Sequence, residues 1–433
     1  MENESAMPPR IHLASLGCAK NLVDSEKLLG RLATAGAIVG ASAEEADIII
    51  VNTCGFIAPA QEESIQVALD YAALRKNGSA KKLIVMGCLV ERLAQDLRVS
   101  LPDVDLFFGL HSHQEILKAC GLPVSEETDD ARLLLTPPHV AYLRVSDGCD
   151  NRCSYCTIPL IRGGFRSRSP EAILAEARDL ANSGVQELVA IGQDTTSFGK
   201  DFEAPYPIDR LLRELSEIES LRWIRLLYTH PAYFTDHLIA EYVDNPKLCS
   251  YVDMPLQHLN DNILRRMGRR VSQADCLTLI EKLRRNVPDI AIRTTFIVGF
   301  PGETDARFNE LLALVRELRF DHMGAFAYSA EPDTKAATLP NQVPAEIVED
   351  RLQALMLAQQ QIVFENNEAM IGHTIEVVID EPTEEEDVWI GRTQFQAPDV
   401  DSVTYVVGDH LKAGQFVQAE VIQTEDYDLL AQA

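Results

Sequence analysis

The chain has 433 residues, 46% of them hydrophobic, and a formal net charge of −27; the length allows two or three domains with real cores, so disorder is not the default. Nucleic-acid binders rely on Lys and Arg to neutralise phosphates, so this acidic balance argues against a general one and favours a basic partner. The N-terminus MENESAMPPR lacks the apolar core of a secretion signal, and no run reaches the roughly 18 apolar residues of a membrane span, so a cytoplasmic protein without a membrane partner is expected.

From residue 10 to about 120, apolar runs (RIHLASL, DIIIVN, KKLIVMG, VDLFF) alternate with helical stretches. This pattern predicts a parallel sheet wound with helices on both faces. Residues 121–139, GLPVSEETDDARLLLTPPH, are acidic, contain proline and have no period, which predicts a linker. A second alternation over 140–365 offers six strands: AYLRVS, ELVAIG, WIRLLY, SYVDMPL, IAIRTTFIVG and MGAFAYS. Six βα units fall short of the eight of a closed TIM barrel and predict an open, partial (β/α)6 barrel. Within it, Ser169, Pro170 and Gly184 suit the N-cap, first position and C-terminal stop of one helix. From 366 to 433 the period becomes two with no helix between (TIEVVID, DVWIGRTQF, SVTYVV, QFVQAEVIQ), which predicts a small antiparallel β-barrel of about five strands. That tail carries 15 acidic and two basic residues.

Nine cysteines in a chain without a secretion signal point toward metal or catalytic thiols rather than disulfides. Cys120, Cys249 and Cys276 fall in helical segments and read as small buried hydrophobes. Cys149, Cys153 and Cys156 form CxxxCxxC just beyond the strand AYLRVS, at the end where α/β folds place their active sites. Structural zinc usually takes four protein ligands and no partner CxxC pair is present. Three thiolates on one loop suit a 4Fe-4S cubane with one iron open; zinc and three unconnected cysteines are the alternatives. Cys18, Cys54 and Cys88 each follow an apolar strand of the first domain, and parallel strands share one carboxyl edge, so these three should converge as a second thiolate set. The alternative is three buried free cysteines.

CxxxCxxC after a first barrel strand, with Tyr155 before the last cysteine, resembles the radical S-adenosylmethionine (SAM) superfamily. That resemblance implies that the open iron chelates SAM and that one electron splits it to a 5′-deoxyadenosyl radical. Two three-thiolate sets in two domains resemble, over essentially the whole chain, the methylthiotransferases: a cluster domain, a radical SAM barrel and a C-terminal TRAM domain. The resemblance implies two 4Fe-4S clusters, SAM as methyl donor and radical source, and a one-electron donor such as flavodoxin or ferredoxin. The family divides between a tRNA adenosine and an aspartate of ribosomal protein S-twelve. GCAKNLVDSE, NTCGFIAPAQEES, IGQDTTSFG and YVDMPLQH look like the ribosomal branch, in which Asp194 stands where the tRNA branch typically has Asn. The acidic tail agrees, being a poor surface for RNA and a good one for a basic ribosomal protein. A non-catalytic iron–sulfur carrier or ribosome-assembly factor is the reading from another class.

Superfamily resemblance further suggests Glu187 near the SAM amino group, although the usual GGE form is absent. It suggests Arg293 near the SAM carboxylate, Gly299 and Gly302 beneath the adenosyl group, and Gln193 with Asp194 lining the pocket. For each of these the alternative is a turn or barrel-layer residue. Arg162, Arg166 and Arg168 follow the cluster loop and would hold an acidic substrate side chain or pair with nearby carboxylates.

Overall fold

The computed structural model describes residues 7–77, 80–124 and 131–433; the opening of the N-terminal stretch and the middle of the expected linker lie outside the described residues. The chain divides into two compact units, one of Met1–Leu135 with Thr157–Gly164, the other of Thr136–Cys156 with Phe165–Ala433.

In the first unit, β1 (Arg10–Ser15), β2 (Ile38–Val39), β3 (Ile48–Thr53), β4 (Lys82–Gly87) and β5 (Leu106–Phe108) form one parallel sheet in the order β2-β1-β3-β4-β5. The middle strand is buried at every position, as a strand covered on both faces must be. Alternate residues feed two cores: Ile49 and Val51 pack with Leu83 and Val85 on one face, and Ile48 and Ile50 with Ile84 and Met86 on the other. The two-residue edge strand β2 is too short to show as a sequence period. Cys120 closes the second core, and burial pushes its thiol up to about 11.

The second unit opens with six parallel strands: β6 (Val140–Arg144), β7 (Glu187–Ile191), β8 (Trp223–Leu226), β9 (Tyr251–Asp253), β10 (Ala291–Val298) and β11 (His322–Ala327). They pair in two runs, β6-β7-β8 and β9-β10-β11, with a single bridge from Ile224 to Leu248 between the runs. This is the open partial barrel read from the sequence. Ser169 caps the helix Pro170–Asn182, its Oγ accepting from the Ala172 N–H at 3.2 Å, and Gly184 leaves it at φ 109°. Cys249 and Cys276 are buried, which lifts both thiols to about 12.

A helix of 26 residues, Ala345–Met370, runs past residue 365, so the boundary expected there falls inside it. The tail then forms a closed barrel of β12 (Thr374–Pro382), β13 (Val388–Arg392), β14 (Thr404–Val407), β15 (Phe416–Glu425) and β16 (Asp428–Gln432), ordered β12-β13-β14-β16-β15. Four of its pairings are antiparallel, but β14 and β16 run parallel, a departure from the wholly antiparallel barrel expected. Among the described residues no helix is long and apolar enough to cross a membrane.

Barrel and tail join through buried charge. Glu187 sits between Arg225 (3.0 Å) and Arg392 (2.9 Å), and Arg392 also grips Asp380 at 2.7 Å. Asp380 in turn meets His139 at 2.8 Å. Asp401 accepts from Arg293 at 3.2 Å and from the Tyr251 hydroxyl at 2.6 Å, while the Tyr142 hydroxyl donates to Asp399 at 2.7 Å. The tail's acids are therefore not all surface charge.

Candidate active site with two sets of three cysteines

In the first unit Cys18, Cys54 and Cys88 each stand just past the carboxyl end of a parallel strand. Cys18 caps the helix Ala19–Thr34 and Cys88 opens the helix Cys88–Ser100. Helix N-termini carry partial positive charge, which favours thiolate over thiol. The three turns touch. A Cβ on Gly17, whose φ is +90°, would lie 2.9 Å from the Cys54 Cβ, and one on Gly55 would lie 2.7 Å from the Cys88 carbonyl oxygen. Glycine is thus required at both positions for the turns to close on one another. Asn21 ties the edge together, its amide donating to the carbonyls of Leu16 (2.6 Å) and Thr53 (3.3 Å).

The three thiols differ. Cys18 is reachable by solvent although crowded by protein; the desolvation that would raise it is outweighed by Lys20, the N–H groups of Asn21 and Lys20, and Arg162, so its thiol is lowered. Burial raises Cys54, and pushes Cys88 up to about 12.

The CxxxCxxC loop of the second unit follows β6. Gly148, at φ 67°, turns the chain into it. The loop is held from both flanks: the Ser154 N–H and hydroxyl donate to the carbonyls of Met267 (2.7 Å) and Arg266 (2.8 Å), and the Ser154 carbonyl accepts from the Ala336 N–H (2.8 Å). Gly268 leaves room for it, since a Cβ there would stand 2.9 Å from the Arg152 carbonyl oxygen. Tyr155 packs edge-on against Phe300 with ring centroids 6.4 Å apart. Burial, with Cys153 beside it, raises the Tyr155 hydroxyl well above its ordinary range, and Arg269 also faces Cys153. Cys149 is raised by burial and by Asp194.

Gln193 and Asp194 lie just past the carboxyl end of β7, the same edge as the loop. Asp194 is a scaffold: it accepts from Asn151 of the loop (2.8 Å), from the Thr196 hydroxyl (2.7 Å) and from the Ser197 hydroxyl (2.8 Å). Gln193 differs, because both its amide oxygen and its amide nitrogen are buried with no hydrogen-bond partner among the described residues. Two orphaned polar atoms cost roughly 1–3 kcal/mol each unless something else meets them.

Glu187 and Arg293 are not at this edge, which corrects the cofactor contacts expected of them. Glu187 is the first residue of β7, at the amino end, and five residues of strand put about 13 Å between its ends. Its carboxylate is consumed by Arg225 and Arg392. Arg293 is the third residue of β10 and is shared between Asp253 and Asp401. It borders a cavity of about 170 Å³ with His322, Gln359 and Asp401, away from the cysteine loop. Gly299 and Gly302 have local reasons to be glycine: both have positive φ, and a Cβ would meet Val348 at 2.3 Å and Arg266 Nε at 2.9 Å respectively. Of the three arginines after the loop, Arg168 pairs with Glu176 (2.6 Å), Arg162 with Asp24 (2.8 Å), and Arg166 is exposed. Asn151 and Arg269, which brace the loop, carry no spacing that would have marked them in the sequence.

Three stretches match known families: residues 143–315 the radical SAM superfamily, residues 10–109 the uncharacterized protein family UPF0004, and residues 371–433 the TRAM domain. Across 97% of this chain and 98% of its own, the ribosomal protein uS12 methylthiotransferase RimO of Clostridioides difficile (strain 630) is 44% identical. The protein of the same name from Bacteroides thetaiotaomicron is 45% identical over 98% of each chain. This chain belongs to the RimO family. Among solved structures it is similar to the radical SAM methyltransferase TsrM of Kitasatospora setae, at a TM-score of 0.54 and 15% identity, over 76% of this chain and 77% of that one. That likeness concerns the fold alone.

The RimO family's cofactors are SAM and 4Fe-4S clusters, and the residues present fit them. Among the described residues no three Cys, His, Asp or Glu side chains crowd closely enough to hold a single metal ion. A polynuclear cluster spaces its thiolates more widely, since each binds a different iron. Both sets are purely thiolate, the donor chemistry iron–sulfur clusters take, and the orphaned Gln193 amide offers a donor and an acceptor to a polar small molecule such as SAM.

Proposed function

We propose that this protein installs a methylthio group on the β-carbon of an aspartate of ribosomal protein uS12. What carries the proposal is the pairing of a full-length RimO relationship with two separate three-cysteine sets, one per unit. In this reading Cys149, Cys153 and Cys156 hold the cluster that engages SAM, with Gln193 meeting SAM through its free amide and Tyr155 and Arg269 fixing the loop. Cluster and SAM, when bound, supply the one-electron cleavage that yields a hydrogen-abstracting radical. Cys18, Cys54 and Cys88 would hold an auxiliary cluster, which would supply the sulfur for transfer. Asn151, Asp194 and Ser154 keep the loop rigid, which radical chemistry needs because a misplaced radical attacks its own protein. A donor of the flavodoxin or ferredoxin kind completes the electron supply.

The acidic tail supports a protein substrate. Glu384, Glu385, Glu386 and Asp387 are all exposed, on the hairpin turn between β12 and β13 rather than on a strand face. A one-signed cluster of this kind steers a basic partner over roughly 8–10 Å at physiological salt. It would repel tRNA.

The division of labour is tested by Cys54→Ala. SAM cleavage should persist, since the other set is untouched, while methylthio product on uS12 should vanish by mass spectrometry. A variant that still forms product at the normal rate shows that the first-unit trio is not the sulfur site.

A further inference from the structure

The segment Thr157–Gly164 follows directly on Cys156 in sequence and packs as part of the first unit. Thr157 donates from its hydroxyl to the Phe56 carbonyl at 3.1 Å, and Ile161 joins Leu110 and Cys88 in a small buried cluster. That anchoring delivers Arg162, which is only 5% exposed. Its Nη2 lies 2.8 Å from Asp24 Oδ2 and 3.6 Å from Cys88 Sγ. Asp24 belongs to the helix that Cys18 caps. One guanidinium is therefore clamped by the Cys18 helix and aimed at the Cys88 sulfur.

A buried ion pair is a weak source of stability, because desolvation offsets most of the Coulomb gain. Arg162 and Asp24 side chains are 2% and 6% exposed, so an apolar pair of similar volume would serve packing as well. Placement beside a sulfur is what the apolar pair could not supply. Hydrogen bonds to the sulfurs and local net charge are among the levers that set an iron–sulfur potential.

We infer that Arg162 is a positioning residue that sets the reduction potential of the auxiliary cluster, donating to the Cys88 sulfur while Asp24 holds its guanidinium and partly neutralises it. The inference rests on the assignment of Cys18, Cys54 and Cys88 as that cluster's ligands. The added electron of the reduced cluster is stabilised by the cation, so Arg162 raises the potential and Asp24 lowers it. A merely structural pair would give no such opposition of sign.

The test uses the full chain with Cys149, Cys153 and Cys156 changed to Ala, so that only the auxiliary cluster loads, reconstituted anaerobically with iron and sulfide and titrated with detection by electron paramagnetic resonance. In that parent, Arg162→Gln is expected to shift the midpoint potential negative, Arg162→Lys to stay nearer the parent, and Asp24→Asn to shift it positive. Parent-like potentials in both Arg162→Gln and Asp24→Asn overturn the inference. Should Arg162→Gln take up no iron, the Asp24→Asn shift decides: a positive shift supports the inference, and none or a negative one overturns it. A parent that binds no iron refutes the ligand assignment instead, and the inference with it.

Discussion

Changing Cys149, Cys153 and Cys156 together to Ala should remove about half of the iron bound after anaerobic reconstitution, from about eight atoms to about four if each set holds one cubane. SAM cleavage should fall to background at the same time. The loop that carries these thiols is braced by Ser154, Gly268 and Asn151, so the protein around it should remain folded. Losing both properties together would tie them to one cluster. If iron content and SAM cleavage both survive, the second unit does not work as a radical SAM barrel, whatever its fold.

Arg392→Ala should be among the most destabilising single changes in the chain, costing about 3–5 kcal/mol, because it leaves two buried carboxylates without their shared cation. Among the described residues Glu187 would keep only Arg225, and Asp380 only His139. The two tryptophans report on this junction directly: Trp223 lies edge-on to Phe416 of the tail with centroids 4.9 Å apart, and Trp389 belongs to β13 itself. The urea midpoint of the tryptophan fluorescence transition should drop markedly. An acid effect follows as well. Burial works against the ionised form of Asp380, yet His139 and Arg392 outweigh it and hold its carboxyl below the usual carboxylate range. A depressed folded value means that this stabilisation is present above the ordinary carboxylate value and is lost as pH falls through the folded one. Without Arg392 the loss should begin at higher pH. An unchanged midpoint would show that the charge network contributes nothing to holding tail and barrel together.

The strands that position both cysteine sets were legible because buried parallel strands read as apolar runs, and each set sits where such a run ends. Cys18, Cys54 and Cys88 could be brought together on paper by one rule, that parallel strands share a carboxyl edge. Glu187 and Arg293 read as site residues for the complementary reason. A charged residue inside an apolar strand looks like a site residue, and nothing local says which end of the strand it occupies functionally or that Arg392 and Asp401, more than a hundred residues later in the chain, will neutralise it. The sequence marks Arg162 as a cation that pairs with a carboxylate or a substrate, but not which carboxylate, since Asp24 is equally remote. Strand period could not reveal that β14 and β16 run parallel.

The substrate is tested directly by offering both candidates to the enzyme. Wild-type protein, reconstituted and supplied with SAM and reductant, should be given ribosomal protein uS12 in one reaction and tRNA in another, with digested peptides and nucleosides weighed by mass spectrometry. One uS12 peptide should carry a methylthio group in place of a hydrogen on an aspartate, and the adenosines should be unmodified. Methylthiolated adenosine with an untouched uS12 aspartate would contradict it.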